Sequence, residues 1–162
     1  MESNVIKLPS LLFRWRLAVA IVLGLLLLFL QSCSKTGSAP ATDDLLKQYF
    51  ETNVLNRDFI VSQATDTATD KTAQFSGYTF RLLKNTYFDG PMTAIKNGAT
   101  ITGTWSSNED FSKLTINLTQ PSTPAGFTFI NRAWRFTRKA FPVMELAPWG
   151  TTDPKVLHMQ RL

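Results

Sequence analysis

Cys33 is the only cysteine and His158 the only histidine among the 162 residues, so the chemistry open to this chain is narrow. A zinc site needs three or four ligands drawn from Cys, His and carboxylates. His158, between Leu157 and Met159, has no second histidine and no nearby cysteine to join it, so no metal site is expected. No sequence-evident nucleophile and base stand together, and there is no Gly-x-Ser-x-Gly elbow. A glycine-rich phosphate loop is missing too. Asp89 and the pair Glu109-Asp110 fall where turns are expected, and carboxylates there are ordinary turn chemistry. The roles a reaction requires find no candidate residues, so the chain reads as a non-enzyme without a cofactor.

The side chain with the most telling setting is Cys33. Lys7, Arg14 and Arg16 precede an uncharged apolar run over residues 17–30, and Gln31-Ser32 brings a small residue up to the cysteine. A basic segment, an apolar core and a small residue at the cut make up an export signal. The run is shorter than the roughly 20 residues a helix needs to cross the hydrocarbon layer. Arg14-Trp15-Arg16 is not a twin-arginine pair, which favours the general secretion route.

Leu30-Gln31-Ser32-Cys33 resembles the lipobox of bacterial lipoproteins processed by signal peptidase II. The resemblance implies cleavage between Ser32 and Cys33. Cys33 then becomes the mature N-terminus, carrying a thioether-linked diacylglycerol and an N-acyl chain. One acyl chain holds a protein weakly and two or more hold it stably, at about 0.8 kcal/mol per buried methylene. The expected partner is therefore membrane lipid. The resembled surface-export signals place acidic residues directly after the cysteine, whereas the first carboxylate here is Asp43. The expected location is the bacterial envelope, on the outer membrane facing the periplasm.

Removing the signal, residues 1–32, leaves enough chain for one domain with a real core. The leader holds three basic residues and Glu2, so the precursor's net charge of +5 falls to +3 in the remainder. That balance is no nucleic-acid signature. With Cys33 committed to lipid, no disulfide remains, and the core alone must hold the domain in an oxidising compartment. Arg132, Arg135, Arg138 and Lys139 form the densest basic cluster. It reads as a solvated outer wall whose charges discourage edge pairing. The other reading is contact with anionic headgroups or an acidic glycan.

The elements that position these residues follow from hydrophobic period. Residues 33–42 are small and polar and read as a flexible tether. A short amphipathic helix is expected over 43–55, with Thr42 as N-cap and Asp43 and Asp44 at its positive end. Leu45, Leu46, Tyr49, Phe50 and Val54 recur at helical spacing, and packing on a sheet is the expected use of that face. Thereafter the period is 2. Strands are expected over 59–64, 75–84, 90–96, 99–106, 113–119, 133–139, 142–148 and 155–161. Asn97-Gly98 marks a type I′ hairpin, because both central residues need positive φ. Residues 63–73 and 120–130 read as loops; the second carries Phe127, Phe129 and Ile130, which would plug an end of the core or form a lid. The expected fold is mainly β: an eight-stranded antiparallel meander barrel preceded by one short amphipathic helix.

Gly103-Thr104-Trp105, then Leu114 and Ile116, then Trp134 resemble the small lipocalin-like (calycin-type) lipoproteins of Bacteroidota, over most of residues 57–162. The helix and the Ala147-Pro148-Trp149-Gly150 segment lie outside that pattern. An eight-stranded barrel is either just filled by side chains or holds one small ligand. Tyr78, Phe80, Trp105, Ile116, Trp134 and Phe136 are the candidate core or ligand-lining residues, and their bulk favours a filled core. Trp105 is expected to anchor the fold rather than touch a ligand. The expected function is a membrane-anchored, non-enzymatic barrel that binds a small apolar ligand or acts as a structural or interaction module with an envelope protein. A barrel-type protease inhibitor, presenting residues 120–130 to its target, is the alternative, and an enzyme a more distant one. Asp66-Thr67-Ala68 resembles a three-residue O-glycosylation signal of exported Bacteroidota proteins, which implies Thr67 as the modified residue.

Overall fold

In a computed structural model, the chain is described over residues 40–138 and 141–162, with side chains from Asp43 onward. The leader, Ser32, Cys33, most of the tether and Lys139 lie outside the described residues.

Helix α1, Pro40–Asn53, starts earlier than its polar cap residues suggest. Proline suits a first helical turn, where its missing N–H would lack a partner anyway. Thr42 therefore lies inside the helix and is not its N-cap, and the expected tether loses its last residues to the first turn. Asp43 does sit in that turn. Three residues past the helix end, Asn56 takes a left-handed φ of 57°. Its N–H there donates to the Leu82 carbonyl at 2.7 Å. Phe50 and Val54 are buried against the sheet, as expected, and Leu55 joins them, while Leu45 and Tyr49 stay exposed.

The strands are β1 Asp58–Asp66, β2 Thr69–Asp70, β3 Thr79–Leu82, β4 Asp89–Lys96, β5 Ala99–Ser107, β6 Lys113–Gln120, β7 Ala133–Arg138, β8 Val143–Pro148 and β9 Lys155–Arg161. A 3-10 turn, Thr72–Phe75, follows β2, and a single helical turn, α2 Phe127–Ile130, precedes β7. Neighbours pair antiparallel in the order β1-β3-β4-β5-β6-β7-β8-β9, and β9 closes on β1 from Phe59↔Arg161 to Asp66↔Lys155. The result is the expected closed eight-stranded barrel, whose main ring has no open edge. β2 is a short flap on the end of β1.

Asn97 and Gly98 have φ values of 53° and 79°, as the hairpin requires. Three expectations shift. β1 runs past its expected end at Ala64 through Thr65 and Asp66, because β9 pairs with them in spite of their polarity. The strand expected over 75–84 shrinks to Thr79–Leu82, since Phe75 closes the 3-10 turn and Gly77 reverses the chain at φ 79°. The segment 120–130 folds its Phe127, Phe129 and Ile130 into the core as α2. They plug the barrel end, which was one of the two expected roles.

The barrel interior is filled with side chains. Phe59, Phe80, Leu82, Met92, Trp105, Leu114, Ile116, Leu118 and Trp134 are at most 1% exposed. Burying one such large apolar side chain stabilises a fold by about 1.5–3 kcal/mol. At the helix end, Phe50 stacks on Phe111 at 4.5 Å and meets Trp105 at 5.8 Å. At the opposite end, Phe75 contacts Phe80, Phe127 and Phe129 with centroids 6.0–6.4 Å apart. Both buried indoles are satisfied: Trp105 Nε1 donates to Leu83 O at 2.7 Å and Trp134 Nε1 to Ile130 O at 2.9 Å. Of the candidate lining residues, Tyr78 and Phe136 are only partly buried, at the barrel rims, and the others are core.

On the outer wall, the Arg81 guanidinium clasps Asp58 through two bonds of 2.7 Å. That clasp holds the Asp58 carboxyl below its ordinary value, against a smaller opposing effect of burial. A lowered folded pKa gives stability that is complete above the ordinary aspartate value of about 3.9 and is lost as pH falls through the folded value. Both groups are partly solvated, so the pair is worth no more than about 1 kcal/mol. Arg81→Ala should therefore be slightly less stable than the parent at neutral pH, with the gap closing below about pH 4. Urea denaturation at both pH values measures it, and a gap independent of pH would refute the ion-pair origin.

Candidate functional site

The residues that sequence singled out for chemistry are spread apart by the fold. His158 lies on the outer face of β9, between inward Leu157 and Met159, with Gln63 and Glu145 as its cross-strand neighbours. Among the described residues no group of three or more His, Cys, Asp or Glu could hold a metal ion. Asp89 accepts bonds from Thr86 Oγ1 at 2.8 Å and Asn85 Nδ2 at 3.2 Å, and Asp110 accepts the Ser112 N–H at 2.9 Å. These are turn-building roles, as expected.

The basic cluster also separates. Arg135 is exposed on the outer wall, opposite Lys113 and Ala147. Arg138 pairs with Glu145 at 3.2 Å. Arg132 lies before β7, at the end of the barrel away from α1, and belongs to a different site.

That site is an open, polar cleft of about 260 Å³, lined by Asp66, Lys71, Gln74, Ala125, Gly126, Thr128, Phe129 and Arg132. One wall is the tip of β1 with the chain from β2 into the 3-10 turn; the other is α2 and the start of β7. Each wall is pinned by its own hydrogen bonds. Lys71 N–H donates to Ala64 O at 2.7 Å, and Thr72 Oγ1 accepts the Ala64 N–H at 2.9 Å. Asp70 caps the same turn by accepting the Thr72 N–H at 2.8 Å, and hydrogen bonds from Thr72 hold its carboxyl below the ordinary value. On the other wall, Asn131 bonds both main-chain groups of Leu118 at 2.8 Å. The amide thus replaces a strand partner where β7 has not yet begun.

Arg132 is held in place. Its Nε donates to Phe129 O at 2.8 Å and its Nη2 to Thr128 O at 3.3 Å. The guanidinium also lies 5.7 Å from the Phe129 ring and 5.6 Å from the Trp134 ring. Among the described residues its Nη1 reaches only Asp153, at 3.9 Å. Behind the cleft, the Lys155 ammonium sits between Asp153 at 2.6 Å and Asp66 at 3.1 Å. Hydrogen bonds to Asp153 and then Asp66 push its pKa up, so it stays charged. Lys71 has no ion-pair partner for its ammonium among the described residues.

Thr67 stands exposed at the tip of the β1–β2 hairpin with φ 58°, and its N–H donates to Pro154 O at 3.3 Å. A left-handed β-branched residue is an outlier. The tripeptide that flagged Thr67 also contains Asp66, which the fold uses at the cleft. Sequence reading missed Lys71 and Gln74, because two separate connections, between β1 and β3 and between β6 and β7, build the site and no spacing links them. Two other clefts flank α1. One is a small apolar groove of about 20 Å³ lined by Leu46, Tyr49, Phe50, Val54, Phe111, Phe136 and Phe141. The other is an open hollow of about 370 Å³ beside Asp43, Lys47, Phe88 and Glu109. No helix among the described residues is long and apolar enough to cross a membrane.

No protein-family model matches the chain. No curated protein matches it either. Among solved structures, it is similar to a DUF4847-family protein from Bacteroides vulgatus ATCC 8482, known from a crystal structure at 1.00 Å resolution. The identity is 18%, the likeness covers 68% of this chain and 95% of that one, and the TM-score is 0.46.

Proposed function

We propose that this chain is a lipid-anchored envelope lipoprotein, acylated at Cys33, whose barrel is a non-enzymatic interaction module on the periplasmic face of the outer membrane. The observation that carries the choice of a module over an internal carrier is the filled barrel axis. An enclosed apolar ligand needs a cavity on the order of 300 Å³, whereas Phe80, Trp105, Ile116 and Trp134 occupy that space. Recognition then falls to the barrel ends and outer wall. The protease-inhibitor alternative draws less support, because the segment meant to protrude buries Phe127, Phe129 and Ile130 in the barrel end. The anchor is supported by the apolar run and Leu30-Gln31-Ser32-Cys33.

Cells fed a clickable fatty acid should label the parent chain, and Cys33→Ala should lose the label while retaining its leader. Equal labelling of the two would overturn the anchor. Native mass spectrometry of the purified full chain should show no stoichiometric apolar ligand once detergent is stripped. A bound lipid of fixed mass would return the carrier reading.

A further inference from the structure

We propose that the polar cleft between the β1–β2 flap and α2 binds a small anion, a carboxylate or phosphate on a hydroxylated body such as an acidic sugar, between Lys71 and Arg132. This rests on reading the domain as a binding module, and it is independent of acylation at Cys33.

The charges point to an anion. Lys71, Arg132 and Lys155 face Asp66 and Asp153. Lys155 ties up both carboxylates, at 3.1 Å and 2.6 Å. Among the residues that line the cleft, Lys71 and Arg132 outnumber Asp66 by one charge, and Asp70, on the same turn as Lys71, accepts from Thr72 and lies outside the lining. Lys71 has no ion-pair partner among the described residues, and Arg132 Nη1 has only its 3.9 Å approach to Asp153.

The geometry is prepared in advance. Main-chain carbonyls and two aromatic rings fix the Arg132 guanidinium before any ligand arrives. A ligand therefore need not immobilise a long side chain, which is a usual cost of binding. Its planar donors suit carboxylate and phosphate oxygens.

Size and polarity narrow the class. About 260 Å³ lies just under the range for drug-sized ligands, so the ligand is small. Gln74 and Thr128 on the walls offer amide and hydroxyl partners to hydroxyl groups. Gly126 keeps Gln74 at the wall, since a Cβ there would lie 3.1 Å from Gln74 Oε1.

The test is an NMR titration of the full chain in an uncharged detergent, with galacturonate, glucose 6-phosphate and glucose as probes. At least one acid should shift the amides of Lys71, Gln74, Thr128 and Arg132, and glucose should not. Which acid binds more tightly tells carboxylate from phosphate. Lys71→Ala keeps its main-chain bond to Ala64 and should fold, yet bind at least about tenfold more weakly, as for loss of one charge-assisted hydrogen bond. Lys96→Ala, whose ammonium lies 5.0 Å over the Tyr78 ring outside the cleft lining, should bind like the parent. Glucose binding as tightly as the acids, no shift with either acid, or parental affinity in Lys71→Ala would each overturn the proposal. A failed titration with intact fatty-acid labelling rejects the cleft and leaves the anchor standing.

Discussion

Trp105→Ala should destabilise the barrel by about 3–5 kcal/mol, the usual range for truncating a buried aromatic. Three contributions stack at this residue. The indole is 1% exposed, in the wall beneath the helix that closes that barrel end. It touches Phe50 of α1 at 5.8 Å, so its loss also loosens the helix. Its Nε1 donates to Leu83 O at 2.7 Å, and Leu83 lies in the connection between β3 and β4. Removing the donor leaves that carbonyl without its indole partner, a further cost of about 1–3 kcal/mol if the group stays dry. Many domains are stable by only about 5–15 kcal/mol, so the thermal midpoint should fall by about 10–20 °C. Trp105→Phe should lie between the two, keeping most of the packing and losing the bond. Arg135→Ala, exposed on the outer wall, should stay within about 0.5 kcal/mol of the parent. Calorimetry of the full chain in detergent checks all three. A Trp105→Ala protein that melts like its parent would show that Trp105 does not anchor the fold.

Gly103→Ala should be nearly as damaging, although it only adds a methyl group. Gly103 points inward on β5, two residues before Trp105, and a Cβ there would sit 1.8 Å from Asn117 O and 2.7 Å from Leu118 Cα. Those are main-chain atoms of β6, which no rotamer change can move. The strain falls where the pairing of β5 with β6 already shifts register, between Thr102 and Gly103. Overfilling a packed site costs about 1–3 kcal/mol, and a backbone collision should lie at or above the top of that range. The expected result is a midpoint lowered by about 10 °C or more, with lost amide protection along residues 102–104 and 117–118. A variant as stable as the parent would show that the two strands separate cheaply, and that the bend at Gly103 is not what lets the barrel close there. The glycine in the Gly103-Thr104-Trp105 motif thus makes room for the neighbouring strand's backbone rather than for a large side chain.

The alternation of Phe80 and Leu82, and of Leu114, Ile116 and Leu118, already separates an inner from an outer face. The burial of these residues follows that alternation, because a strand's side chains switch sides at every residue. Asn97-Gly98 is equally local: two positive φ angles are a property of those two residues, and the hairpin forms where they stand. The helix was visible in its period, and its starting point was not, since Pro40 matters only through backbone geometry. Other features needed partners far along the chain. Thr65 and Asp66 look like loop residues until β9 arrives to pair with them. Phe127, Phe129 and Ile130 become a plug because the barrel end beneath them would otherwise be open. Arg132 reads as one member of a basic run with Arg135 and Arg138, yet it turns away from them to bond Phe129 O and Thr128 O. The cleft it lines draws Asp66, Lys71, Gln74 and Thr128 to Arg132 from positions as far as 66 residues away in sequence. Local rules act over a few residues, through φ preferences and the alternation of faces. A site made where separate loops meet depends on barrel closure, which brings those loops to one end.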